Sequence, residues 1–230
     1  MATGLLGDDW DHVAFAPESD FVVSLVCGKR TLTQTRALLS DFQARTDGRV
    51  PALITSDELS NYERVILETY GQKTPRARRG TRGRFPNPIL TPPAKLVYAL
   101  LHKHRRNGRV VKIDVRQVFG TPKALALALL DSPVSTHVNT SFIERYNGTD
   151  RHRNSRKVRK TYAFSKDWER HEQASWLSCV GYNFCHAPRT RTGLTPDGHR
   201  FPRSPAMLQG LTDHVWFVGE ILRHQIVPRE

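Results

Sequence analysis

Glu144 stands in the strip Asn139-Thr140-Ser141-Phe142-Ile143-Glu144-Arg145-Tyr146-Asn147, immediately ahead of a dense run of cations. Between Arg145 and Lys160 lie Arg145, Arg151, Arg153, Arg156, Lys157, Arg159 and Lys160, against the single acid Asp150. A lone carboxylate beside a polyanion-binding surface points to phosphodiester chemistry, in which oxygen ligands hold a hard divalent ion. The same spacing also reads as a capping box, with Ser141 and Glu144 satisfying each other's orphan N–H groups at the start of a helix. The two readings are compatible, because a catalytic Glu can occupy a first helical turn. A second acid, Asp57, lies just past residues 52–55, a short apolar run of strand type. In an open α/β sheet that strand end is where ligands bind. The alternative for Asp57 is the N-cap of a helix beginning near Glu58.

The elements that would position these acids follow from periodicity. Residues 10–16 and 21–27 are β-rich runs separated by Pro17-Glu18-Ser19-Asp20 and are expected to form a hairpin. Leu32, Thr35, Leu38, Leu39 and Phe42 recur at helical spacing, so a helix is expected to end before Asp47-Gly48. A second helix is expected over 62–70. From 72 to 93, Lys73, Arg76, Arg78, Arg79, Arg82 and Arg84 appear with no acid among glycines and prolines. This composition reads as a flexible basic insertion, either a solvated linker or a DNA-tracking arm. Expected next are a helix at 95–104, a strand at 110–115 and a helix at 124–130. Beyond the cations, Trp176, Val180 and Phe184 repeat every four residues beside Leu177, predicting a helix that packs this stripe on a sheet. Trp168 and Trp176 read as core or shelf residues rather than base-stacking platforms. Residues 186–205 read as a loop and 213–222 as a final helix. No internal repeat is visible.

Composition narrows the partner. The 230 residues carry a formal charge of +13, which favours a polyanion over an acidic small molecule. Three cysteines with no C-x-x-C predict reduced thiols and a cytosolic location, and Cys185-His186 lacks the further ligands that zinc spacing requires. No apolar run reaches the roughly 18 residues of a membrane span, and residues 1–9 lack the basic and apolar regions of a secretion signal.

Several blocks together resemble one family. The Asn139–Asn147 strip, the block Arg156-Lys157-Val158-Arg159-Lys160-Thr161-Tyr162-Ala163-Phe164-Ser165-Lys166 and Tyr182-Asn183-Phe184-Cys185 are similar to the C-terminal part of the catalytic domain of insertion-sequence transposases of the IS1-like, DDE type. Thr55-Ser56-Asp57-Glu58-Leu59-Ser60-Asn61-Tyr62 resembles that family's T-D-G-x-x-x-Y segment, which carries the second catalytic Asp. Ser204-Pro205-Ala206-Met207, followed by Leu211-Thr212-Asp213-His214-Val215-Trp216, resembles its tail. The resemblance runs from about Gly7 to about Leu222 and is weakest over 72–110.

The resemblance implies an α/β, ribonuclease H-like fold, a mixed sheet flanked by helices, with a basic insertion and a helical C-terminal part. It implies one catalytic domain over 1–222, including the insertion at 72–93, then a tail at 223–230. It casts Asp57 and Glu144 as catalytic ligands of Mg2+ or Mn2+, and Arg145, Arg151, Arg153, Arg156, Lys157, Arg159 and Lys160 as phosphate contacts. Its implied partner is double-stranded DNA, at element ends and target, bound by a homo-oligomer in the cytoplasm at the nucleoid, with no membrane. The implied function is transposition by metal-dependent phosphodiester cleavage and strand transfer. One departure qualifies it: the family's first catalytic Asp lies on a first strand within a D-E-x-W-type motif. Gly7-Asp8-Asp9-Trp10-Asp11-His12-Val13 resembles the following strand instead, and none of Asp8, Asp9, Asp11 or Asp20 sits in a matching segment. The chain is therefore expected to be an N-terminally shortened transposase, the catalytic portion of an enzyme completed by an upstream reading frame or by frameshifting, which as given does not cleave DNA at an appreciable rate. The other reading is a non-catalytic basic DNA-binding protein, a transposase relic.

Overall fold

A computed structural model describes residues 10–77, 85–158, 161–163 and 165–224. The chain forms two compact units, 1–29 with 142–230, and 30–141, of mixed α/β content.

The first unit opens on the expected hairpin. Strand β1 (Trp10–Ala16) pairs antiparallel with β2 (Phe21–Gly28), with a bulge between Ala14 and Phe15. The connecting turn is formed by the expected tetrapeptide, within which Ser19 and Asp20 are both buried. Asp20 adopts the left-handed region at φ 55°, which Asp tolerates better than most residues with a Cβ.

The second unit begins with α1 (Leu32–Arg45), where the Thr31 side chain accepts from the Gln34 backbone N–H and Leu38 and Leu39 turn inward. A short strand, β3 (Ile54–Ser56), leads to α2 (Asn61–Tyr70), whose Val65, Ile66 and Tyr70 are buried. Arg36 forks onto Glu68 at 2.8 and 3.0 Å across α1 and α2, an exposed pair worth little. The expected flexible insertion is partly ordered: β4 (Gln72–Thr74) pairs antiparallel with β5 (Ile89–Thr91). Arg78, Arg79, Arg82 and Arg84 lie outside the described residues.

The expected helix at 95–104 is a strand. Residues Leu96 to Leu101 are all buried, a continuous apolar run that suits a strand covered on both faces as well as a helix. Strand β6 (Tyr98–Arg106) turns through Asn107-Gly108, both at positive φ, into β7 (Arg109–Phe119), the Asn-Gly signature of a tight hairpin. β3 runs parallel to β6 and β7 antiparallel to it, giving a mixed sheet of order β3-β6-β7. Helix α3 (Pro122–Leu130) follows as expected, with Thr121 capping Ala124 at 3.1 Å.

The chain then returns to the first unit through α4 (Ser141–Arg153) and a single 3-10 turn at Ser155–Lys157, before α5 (Trp168–Cys185). The face that α5 buries is Ser175, Cys179, Tyr182 and Asn183, not the stripe of Trp176, Val180 and Phe184, while Leu177 is exposed. Its neighbour is β2, and the core joins Val22, Leu25 and Cys27 to Tyr146, Cys179 and Tyr182. Trp176 packs at the margin of that core, and Trp168 stacks on His171. The expected loop at 186–205 contains a small hairpin, β8 (Thr192–Leu194) with β9 (Arg200–Pro202). Two short helices follow, α6 (Pro205–Leu208) and α7 (Val218–Arg223), where one longer helix at 213–222 is expected. Among the described residues no helix is long and apolar enough to cross a membrane.

Candidate nucleic-acid interface

Asp57 follows β3 directly and is exposed. It does not cap α2: the N-cap is Ser60, which makes no side-chain cap bond, and the helix starts at Asn61 rather than near Glu58. The loop around Asp57 is fixed by Ser56, whose hydroxyl lies 2.7 Å from the Asp57 carbonyl and 2.7 Å from the Tyr98 hydroxyl. Burial, then the charge of Asp57, pushes the Tyr62 phenol up. Asp57 therefore stands just past the C-terminal end of a parallel strand with nearby phenols but no structural duty as a cap. Its neighbour Glu58 is taken by His102, through a close contact to Nδ1.

Glu144 lies in the first turn of α4 and is exposed. The expected capping box does not form, since Ser141 is itself the first helical residue and its N–H and hydroxyl both donate to Asn139 Oδ1, at 3.1 and 2.7 Å. An acid in the first turn also suits the helix dipole.

The seven cations separate into different roles. Arg151 and Arg153 are exposed at the end of α4, and Arg156 is partly exposed in the 3-10 turn. Arg153 donates to His186 Nδ1 at 2.8 Å. Burial, then the Arg153 charge, holds His186 below its ordinary range, which keeps the ring neutral as an acceptor. Arg145 donates to the buried Asp20 carboxylate at 2.9 Å, and Arg191 approaches the other Asp20 oxygen at 2.8 Å. Arg145 keeps about half its side chain exposed (56 %), so it can hold both Asp20 and an external anion. A shallow pocket here is lined by Asp20 itself with Arg145, Thr149, Tyr182, His186 and Arg189, so its arginine donors, which suit a phosphate, stand beside a carboxylate that Arg145 and Arg191 already neutralise. Arg159 and Lys160 lie outside the described residues.

Lys157 corrects the expectation most sharply. Its side chain is only 6 % exposed and is held by Asp11 at 2.8 Å and Asp150 at 2.5 Å. Ser178 donates to the other Asp150 oxygen at 2.6 Å, and His171 Nε2 lies 3.3 Å from Asp11. Burial opposes the Lys157 charge, yet the two carboxylates raise its pKa above the usual lysine range. Burial likewise opposes charge on Asp11, but the His171 hydrogen bond and the Lys157 charge hold its carboxyl far below the usual range. Lys157 is thus an internal counter-ion. A phosphate-facing lysine would have to leave two buried carboxylates unpaired.

Sequence reasoning also missed Asn183. Buried on α5, it donates through Nδ2 to the Val22 carbonyl and accepts through Oδ1 from the Val22 N–H, both at 2.9 Å. The motif Tyr182-Asn183-Phe184-Cys185 therefore contains a clamp onto β2 and, at Tyr182, a core ring set edge-on to Tyr146. An asparagine within an otherwise apolar helical face was the available signal.

Asp57 and Glu144 have the oxygen donors that magnesium takes. Among the described residues the group of three metal-capable donors is Asp11, Cys27 and His171, which contains neither of them, nor Cys185 or His186. Asp11 of that group is already paired with the Lys157 ammonium, and burial, then the Asp11 charge, keeps the Cys27 thiol protonated. The donor type at Asp57 and at Glu144 fits a hard cation. All three cysteines are free thiols. No protein-family model matches the chain, and no curated protein or solved structure matches it.

Proposed function

We propose that the chain is a DNA-handling protein of the insertion-sequence transposase type, ribonuclease H-like in ancestry, that grips duplex phosphates through Arg145, Arg151, Arg153 and Arg156. In this reading Asp57 and Glu144 are two of the three carboxylates that a DDE site uses to hold Mg2+ or Mn2+. The observation that carries it is Asp57: an exposed acid just beyond the C-terminal end of a parallel strand, where α/β sheets place ligands, and one that no helix employs as a cap. The exposed arginines and the charge of +13 support the polyanionic partner.

The group of three closely set metal-capable donors among the described residues contains neither acid, which supports the non-catalytic form, a protein that occupies DNA without cutting it. Removal of part of a preorganised electrostatic site commonly costs 10²-fold or more in rate. The test is nicking of supercoiled DNA with magnesium or manganese, comparing the chain with Asp57→Ala and Glu144→Ala. The expected result is no nicking above background by any of the three. Metal-dependent nicking that both substitutions abolish would overturn the non-catalytic form and establish a third ligand.

A further inference from the structure

Strand β7 forms one edge of its sheet: among the described residues no strand pairs with its outer side. It is eleven residues long, and its face bearing Val111, Ile113 and Val115 is about half exposed, at 60, 52 and 48 %. A long apolar edge is a template for another strand, and proteins ordinarily blunt such edges with charges of one sign, with proline or with a bulge. β7 has register shifts against β6 at its two ends, opposite His104/Arg105 beside Val111 and opposite Tyr98/Ala99, and in the regular stretch between them it carries Lys112 and Asp114, of opposite sign, on either side of Ile113.

We propose that β7 pairs with β7 of a second copy of this chain, antiparallel about a two-fold axis through Ile113. The register follows from the sequence. With Ile113 opposite itself, Val111 faces Val115 of the second copy and Val115 faces Val111, so the exposed side chains close into one apolar stripe. On the other face Lys112 meets Asp114 and Asp114 meets Lys112. An isologous contact requires this self-complementarity, and directly opposed apolar and opposite-charge pairs are what stabilise antiparallel strands. Shifting the register by two residues would place Lys112 opposite Lys112 or Asp114 opposite Asp114, a like-charge pair that disfavours it. Within one chain Lys112 and Asp114 already touch at 2.8 Å, and His104 lies 2.7 Å from Asp114, so both charges are pre-positioned on that face. The inference rests on the sheet alone and is independent of the DNA-binding reading.

Sedimentation velocity of the full chain across the micromolar range, without DNA, tests it. The expected result is a concentration-dependent species with the mass of two chains. Ile113→Lys and Lys112→Asp should each leave the monomer, and the double swap Lys112→Asp with Asp114→Lys should restore the dimer by reversing both pairs. Circular dichroism checks that each variant is folded, and Ile113→Lys alters neither charge should Lys112→Asp unfold. A monomer at all concentrations, a dimer indifferent to Ile113→Lys, or a folded double swap that stays monomeric would overturn the proposal.

Discussion

The Lys157 ammonium lies 2.8 Å from the Asp11 carboxylate, joining the turn after α4 to the first strand of the hairpin. With Asp150 and Ser178 it forms a buried polar knot spanning β1, α4 and α5. A segment whose sequence reads as a uniform cationic surface is therefore anchored by one of its own cations.

Lys157→Ala should destabilise the protein by about 3–5 kcal/mol, because it leaves Asp11 and Asp150 buried without their counter-ion. Lys157→Met combined with Asp11→Asn and Asp150→Asn should recover much of that loss. Urea midpoints for the two variants against the parent check this. Equal midpoints for parent and Lys157→Ala would contradict the knot.

The same knot sets a pH dependence. The folded pKa of Asp11 is depressed, so its contribution is complete above the ordinary carboxylate pKa of about 4 and is lost as pH falls through the folded value. The folded pKa of Lys157 is raised, so its contribution is complete below the ordinary lysine pKa of about 10 and is lost as pH rises through the folded value. Stability from these two groups should be level between roughly pH 5 and 9, and Asp11→Asn should flatten the acid limb measured by urea unfolding. An acid limb that is parallel in parent and variant would assign the acid loss to other groups.

Asn183→Leu should cost on the order of 2–4 kcal/mol, since both the N–H and the carbonyl of Val22 lose their buried partner. Asn183→Asp keeps the shape but turns a donor into a second acceptor against the Val22 carbonyl, so it should not rescue. Thermal unfolding of the two variants decides, and a fully stable Asn183→Asp protein would refute the clamp.

Asp20→Asn preserves a residue type that accepts the left-handed turn while removing the charge that Arg145 and Arg191 share. It should lower stability by about 1–3 kcal/mol and, by freeing Arg145, should not weaken DNA binding. Loss of DNA affinity in a folded Asp20→Asn protein, measured by fluorescence anisotropy, would mean that Asp20 positions Arg145 on the phosphate rather than competing with it.

Much of the frame was legible in the sequence where local signals and tertiary outcome coincide. The β1–β2 hairpin follows from two β-rich runs around a turn-forming tetrapeptide, and α1 from its repeat of Leu32, Thr35, Leu38, Leu39 and Phe42. Strand β6 was not legible as such, because a continuous apolar run has no period with which to distinguish strand from helix; Asn107-Gly108 marked the hairpin. The buried face of α5 differs from the predicted stripe because Ser175 packs inward by its small size and Asn183 by its two hydrogen bonds to Val22, which a hydrophobic pattern cannot register. At the candidate site, Asp57 and Glu144 proved exposed and Asp57 is not the N-cap of α2, whereas the fate of Lys157 was hidden: its partner Asp11 is remote in sequence, and charge runs carry no record of tertiary pairing.

The central claim, that the exposed arginines hold duplex phosphates while Lys157 does not, is tested most directly by the salt dependence of duplex binding, followed by anisotropy on unrelated sequences. Contact of Arg145, Arg151, Arg153 and Arg156 with about four phosphates predicts that log K falls with log salt at a slope of roughly −3.6, with little difference between sequences. Replacing Arg151, Arg153 and Arg156 with Ala should make the slope shallower by about 3, roughly one for each lost contact. Lys157→Ala should leave the slope unchanged wherever the protein is folded. A slope near zero, or a slope that Lys157→Ala changes and the triple substitution does not, would contradict the account.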